Sequence, residues 1–274
     1  MVTLTVDGPV AQNEICYITT GGDRLMAEVI KVVGKNVYVQ VFESTRGLKV
    51  GAEAEFTGHM LEVTLGPGML SKNYDGLQND LDKMEGVFLK RGQYTYPLDK
   101  ERKWHFKPIV KVGDEVGPSA WLGEVEENHQ PLKIMVPFQL TGTYKVKSVV
   151  PEGDYTIEDT VAVLSDKGGE DIKVNMIQKW PVKKAMTNYV EKPRPYKLLE
   201  TGVRVIDTMN PIVEGGTGFI PGPFGTGKTV LQHAISKQAE ADIVIIAACG
   251  ERANEVVEIF TEFPELVDPH TGRN

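Results

Sequence analysis

Short apolar runs broken by glycine fill the first two-thirds of the chain, and helical spacing of apolar residues takes over only in the last third. Residues 1–66 read as all-β. Residues 26–33 and 36–42 are rich in Val, Ile and Tyr, with Gly34-Lys35 between them, which is a hairpin signal. Gly47, Gly51 and Gly58 punctuate further short runs, and strands with turns at this spacing predict a small barrel. The pattern changes over residues 67–104. Gly66-Pro67-Gly68 ends the β character, Leu77 and Leu81 stand four apart in residues 74–81, and a short helix is expected there. Residues 90–103 are polar and turn-rich and read as a connection. Residues 105–184 return to β character, with 110–117 alternating about a central turn, short strands at 134–137, 142–146 and 160–164, and turns at Gly153-Asp154-Tyr155 and Asp166-Lys167-Gly168-Gly169. This block shows no paired carboxylates or histidine cluster that suggests chemistry, so an interaction surface is its default reading.

Trp180-Pro181-Val182 and Pro193-Arg194-Pro195 mark a Pro-rich boundary, after which the pattern is α/β. Helices are expected at 202–209, 229–238 and 253–263, the last with Val256, Val257 and Phe260 on one side. A short strand is expected at Thr217-Gly218-Phe219-Ile220, ending at Pro221. The nearly continuous apolar run Asp242-Ile243-Val244-Ile245-Ile246-Ala247-Ala248 predicts a parallel strand buried on both faces. Strand, helix, strand, helix is the core of an open parallel sheet. Two central strands cannot cover such a sheet, so this domain is expected to be incomplete.

Between the first of these strands and its helix lies Gly222-Pro223-Phe224-Gly225-Thr226-Gly227-Lys228-Thr229, a full match to the phosphate-binding pattern G-x-x-x-x-G-K-[ST]. Chance alone would produce that match in on the order of one chain in a hundred of this length. The glycines let backbone N–H groups approach phosphate oxygens, and the helix start adds free N–H groups and the positive end of its dipole. Lys228 sets a cation on the outer phosphates, and the Thr229 hydroxyl suits Mg²⁺, which keeps its other sites for water and phosphate. Cys249-Gly250-Glu251-Arg252 follows the second strand at its carboxyl end, where open α/β sheets bind ligands. Glu251 is placed to orient an attacking water, and Arg252 to contact phosphate or brace Glu251.

Composition narrows the partners. The chain has 274 residues, 41% hydrophobic and 25% charged, ordinary for a globular protein. A net charge of −8 argues against a nucleic-acid footprint, which should be basic. No apolar run approaches a membrane span and the start carries no signal-peptide core, so a cytoplasmic setting is expected, with any membrane contact made through partners. Cys16 and Cys249 are too few for a disulfide framework or zinc site, and reduced thiols are expected; Cys16 and His59 are read as structural.

The loop Gly222–Thr229 with Val230, the stretch Gly250-Glu251-Arg252-Ala253-Asn254-Glu255 and residues 262–272 together resemble the catalytic A subunits of V-type and archaeal-type rotary ATPases. Gly66-Pro67-Gly68-Met69-Leu70, Asp75-Gly76-Leu77-Gln78 and residues 201–207 fit the same family, and the β block of 105–184 resembles its non-homologous region. The resemblance implies a multi-domain α+β and α/β fold. A β-barrel (1–66) is followed by a connection and short helix associated with the nucleotide-binding domain (67–104). The inserted β-rich domain (105–184) and an incomplete RecA-like P-loop domain (185–274) come next. It implies ATP or ADP with Mg²⁺ on residues 222–230, with catalytic roles for Lys228, Glu251 and Arg252, Thr229 as metal ligand and Glu255 as a second metal contact through water. Three such subunits would alternate with three B subunits in a ring, with central and peripheral stalks and a membrane sector moving H⁺ or Na⁺. The arginine finger would come from the neighbouring B subunit. Ala253 stands where the family usually has Gly, and Thr226 where relatives carry Ser, Ala or Cys, so no disulfide switch within the loop is expected. The Walker B carboxylate, adenine pocket and helical domain would lie beyond Asn274, and the 274-residue piece alone is expected to be inactive.

Two other readings compete. A non-catalytic nucleotide-binding ring subunit would typically lack the complete loop or the carboxylate after the strand, and both are present. A RecA-like nucleic-acid motor is disfavoured by the acidic charge and by the long β insertion.

Overall fold

The computed structural model describes residues 1–86, 89–166, 168–187, 189, 191–223, 225–265 and 267. The protein divides into two compact units, Met1–Tyr189 and Val190–Asn274.

In the first unit, β1 (Val2–Thr5), β2 (Glu14–Thr20), β3 (Asp23–Val33), β4 (Asn36–Val41) and β5 (Glu53–Met60) form an antiparallel sheet in the order β1-β4-β3-β2-β5. The expected hairpin is β3 and β4, with Ala27 opposite Val41 and Val29 opposite Val39. Alternation places Cys16 and Ile18 of β2, Leu25, Ala27 and Val29 of β3, and Val37, Val39 and Val41 of β4 in one buried cluster. Each fully buried Val, Leu or Ile there contributes about 1.5–3 kcal/mol. The β3–β4 ladder slips at Ile30, and beyond that bulge Val32 and Val33 face solvent. Cys16 is fully buried, and the His59 Nδ1 lies 2.9 Å from the Met60 carbonyl oxygen on the surface.

The short helix expected over 74–81 does not form. The Asp75 carboxylate instead accepts from the Leu77 amide (2.9 Å), the Asn79 amide (2.8 Å) and the Asn79 side-chain amide (2.8 Å). Those bonds give the backbone an alternative to a helix, and Gln78 turns through φ +62°. Only a 3-10 turn, Leu81–Lys83, follows. The connection beyond it is tied down at both ends. Arg91 donates to Asp23 and to the Ser44 and Arg46 carbonyls, while the Tyr74 hydroxyl donates to the Pro97 carbonyl.

The β block holds two four-stranded antiparallel sheets. One, in the order β10-β9-β7-β12, combines β7 (Lys103–Pro108), β9 (Trp121–Glu127), β10 (Gln130–Met135) and β12 (Gly153–Thr156). The other, β14-β13-β11-β8, combines β8 (Glu115–Val116), β11 (Tyr144–Val149), β13 (Ala162–Ser165) and β14 (Asp171–Val174). Gly153-Asp154-Tyr155 is therefore strand and not the expected turn. Its residues pair with Phe106, His105 and Trp104, and the Tyr155 ring meets Phe106 edge-on at 6.4 Å. The Asp166 turn forms, with the Gly169 amide bonded to the Asp166 carbonyl; Lys167 lies outside the described residues. Val149 packs against the buried clusters of both sheets. β6 (Glu62–Leu65) leaves the first sheet to pair with β15 (Gln178–Pro181), a ladder joining residues far apart in sequence.

In the second unit, a two-stranded ladder of β16 (Leu198–Leu199) and β17 (Ile212–Val213) flanks α1 (Arg204–Met209). The fully buried Thr201 donates its amide and hydroxyl to the Asp207 carboxylate and fixes the start of α1. These bonds, first from the Thr201 hydroxyl and then from its amide, hold the Asp207 carboxyl below the usual range. The other two expected helices are α2 (Lys228–Gln238) and α3 (Ala253–Glu262). The expected strands at 217–220 and 242–248 do not form ladders. Neither segment carries regular secondary structure, and Phe219 is 87% and Ile245 88% exposed. A parallel strand takes its hydrogen bonds from neighbouring strands, and among the described residues no strand pairs with either segment.

Candidate functional site

The loop ahead of α2 has the backbone its glycines call for. Gly225 and Gly227 sit at φ +81° and +80°, in the left-handed region that other residues enter only under strain. Gly222 is required for a different reason: a Cβ there would lie 2.5 Å from the Thr226 hydroxyl. That hydroxyl donates to the Pro223 carbonyl at 2.8 Å and closes the loop internally. Phe224 lies outside the described residues. Gly227 is also the N-cap of α2, and no side chain caps the helix there. The first-turn amides thus keep their capacity for an acceptor, and the dipole favours an anion. The Lys228 ammonium donates to the Gly222 carbonyl at 2.6 Å, which draws the cation across the loop.

One turn into α2 the chemistry changes from loop to cleft. Thr229, Gln232, His233, Ser236, Ile246, Ala247, Ala248, Glu251, Glu255 and Ile259 line a common hollow. The Thr229 hydroxyl donates to Glu255 at 3.4 Å, a long contact that joins α2 to α3. Glu251 precedes α3 and faces the same hollow. The sequence-predicted residues therefore fall into groups. Thr229, Glu251 and Glu255 are brought together, while Lys228, the first residue of α2, turns back to the Gly222 carbonyl and does not line the hollow. Arg252 is the N-cap residue of α3, with Gly250 before it at φ +76°. Val230 is 72% exposed and lines no part of the hollow.

Gln232, His233 and Ser236 were missed. They follow Thr229 at helical intervals, so the three- and four-residue periodicity of α2 was the signal that marks them. Among the described residues no group of three or more His, Cys, Asp and Glu side chains is arranged to hold a metal ion by itself. The oxygens of Thr229, Glu251 and Glu255 do suit a hard cation that keeps most of its shell for water and phosphate.

Comparison with known proteins agrees with this layout. Residues 2–58 match the ATP synthase alpha/beta family, beta-barrel domain. Residues 95–183 match the ATP synthase alpha/beta subunit barrel-sandwich domain, and residues 202–271 the family's nucleotide-binding domain. The V-type ATP synthase alpha chain of Treponema denticola is 51% identical over 276 residues, covering 100% of this chain and 47% of its own. That of Borreliella afzelii is 50% identical over 277 residues, and that of Borrelia hermsii 51% over 278, each covering 100% of this chain and 48% of its own. The chain spans about half the length of the relatives it matches. With a barrel, a barrel-sandwich and a nucleotide-binding segment in that order, and whole-chain identity near one half, the chain belongs to the ATP synthase alpha/beta family, alongside its V-type alpha chains.

Proposed function

We propose that the chain is the nucleotide-binding part of the catalytic subunit of a V/A-type rotary ATPase, which couples ATP hydrolysis or synthesis to H⁺ or Na⁺ transport across a membrane. The observation that carries this reading is the convergence of a complete phosphate loop, an α2 start without a side-chain cap, and the Thr229–Glu251–Glu255 group in one hollow. The names of its relatives support it. Residues 222–230 would bind ATP or ADP, with loop amides and Lys228 on the phosphates. Thr229 would hold Mg²⁺ directly and Glu255 through water. When bound, the metal neutralises charge on the β- and γ-oxygens. Glu251 would orient the attacking water, and Arg252 would steady phosphate or Glu251. We read 1–66 as the barrel, 67–104 as its connection, 105–184 as the inserted β domain and 185–274 as the nucleotide-binding domain.

The partners this implies are B subunits in an alternating A3B3 ring, with a central and a peripheral stalk. The subunit would sit on the cytoplasmic side, reaching the membrane only through the ion-translocating sector. No described helix is long and apolar enough to cross a membrane. A non-catalytic ring subunit is the second reading, and the presence of Glu251 in the hollow beside Thr229 counts against it. The direct test is Lys228→Ala in the assembled complex. Bound nucleotide, measured by calorimetry or by retention through gel filtration, is expected to disappear while the ring still assembles. Undiminished nucleotide binding would remove the loop from the site.

A further inference from the structure

The seam between α2 and α3 is built from a repeated set of polar pairs. Thr229 meets Glu255 at 3.4 Å, the His233 Nδ1 meets Glu258 at 3.8 Å, and Lys237 forms an ion pair with Glu262. On α2 the partners are four residues apart and on α3 three and four apart, so each set forms one stripe along its helix. The pairs run in the same order on both helices, which therefore lie parallel along this seam. His233, 6% exposed, is the most enclosed side chain of α2, and its ring meets Phe263 edge-on at 5.5 Å. The Lys237 ammonium lies 5.7 Å from the centre of the same ring. Apolar packing on α3 is partial: Val256 and Ile259 are half-buried, none of its side chains is fully buried, and Val257 and Phe260 are 56% and 42% exposed.

We propose that His233, Glu258, Lys237 and Glu262 are positioning residues: they set the axial and rotational register of α3 against α2, and so the place of Glu251 and Glu255 relative to Thr229. The inference rests on the proposed nucleotide site. Its physical basis is the stiffness of a helix. A slip of one residue along the seam moves α3 by about 1.5 Å and turns its stripe by about 100°. Displacements of about 1 Å at a catalytic group cost on the order of a hundredfold in rate. The first two pairs are long contacts, at 3.4 and 3.8 Å, and the close Lys237–Glu262 ion pair below them anchors the helix that carries them.

The test is a charge exchange in the assembled ATPase. Lys237→Glu and Glu262→Lys, each alone, are expected to lower kcat by about tenfold or more with KM for ATP changed by no more than about twofold, the pattern of a misplaced catalytic group. The two substitutions together restore the pair in the opposite sense and are expected to recover most of kcat. His233→Phe, which keeps a ring against Phe263 and drops the polar pair, is expected to lower kcat in the same way. It provides the readout if a reversal prevents assembly. Unchanged kcat in the variants that assemble overturns the proposal, as does a kcat that the exchange fails to recover although Tm returns. Lys228→Ala in the same preparation separates the two levels. If it abolishes nucleotide binding while the seam variants keep full kcat, the positioning role alone falls. If it leaves binding intact, the site itself falls, and this inference with it.

Discussion

Cys16 and Cys249 are the same residue type with opposite chemistry, because one is fully buried and the other exposed. Burial, and to a smaller extent the Glu14 carboxylate beside it, pushes the Cys16 thiol up to about 11. The folded state therefore favours the neutral thiol. That contribution is fully present below the unfolded thiol's value of about 8.5 and is lost as pH rises from there through 11. At pH 8 a thiol reagent is expected to modify Cys249 quickly and Cys16 only on unfolding, which peptide mass spectrometry resolves; equal labelling in the native protein would contradict the burial. Cys16→Val is expected to flatten the loss of stability above pH 9 while leaving the neutral-pH value nearly unchanged. The sequence carried this only as far as a structural role for Cys16; its burial comes from its place with Ile18 on the inner face of β2. The role of Asp75 was not legible there, because its carboxylate competes with a helix through bonds that spacing does not reveal.

At the scale of elements, local rules worked where an element is completed by its own neighbourhood. The hairpin of β3 and β4 and the helices α1, α2 and α3 lie where hydrophobic spacing, turn residues and the phosphate-loop pattern put them. They failed where long-range partners decide. The strand β12 runs through a Gly-Asp sequence that reads as a turn, since pairing to β7 overrides local preference. The apolar segments at 217–220 and 242–248 have strand composition, yet without flanking strands they carry no ladder. The predicted helix over 74–81 gave way to the Asp75 turn, and that substitution is checkable. Asp75→Ala removes three hydrogen bonds to a carboxylate and is expected to destabilise the first unit by about 2 kcal/mol, read as a shift in the midpoint of chemical denaturation. A change within about 0.5 kcal/mol, the scale of an ordinary surface substitution, would show that the turn is held by other contacts. The same scale holds the missed site residues, for His233 and Ser236 were visible as the helical continuation of Thr229 but had no motif to announce them.

For the whole molecule, the functional reading concentrates in the second unit, while the first supplies two β architectures in which no group of three or more His, Cys, Asp and Glu side chains among the described residues is arranged for a metal ion. The loop, the hollow and the α2–α3 seam are adjacent stretches of one chain region, which is why so much of the candidate site was readable from motif and spacing. What lay outside that reading is the placement of Glu255 against Thr229 and the polar seam below it, both products of how two helices pack. As proposed, this hollow carries out phosphoryl chemistry and does more than hold nucleotide. Turnover and bound nucleotide, measured together in the assembled complex bearing Glu251→Gln, test it most directly. Bound nucleotide is expected to stay at the unsubstituted level while turnover falls by about 10²–10³, the scale of a lost group that acts in the transition state. Unchanged turnover with Glu251→Gln would contradict the account.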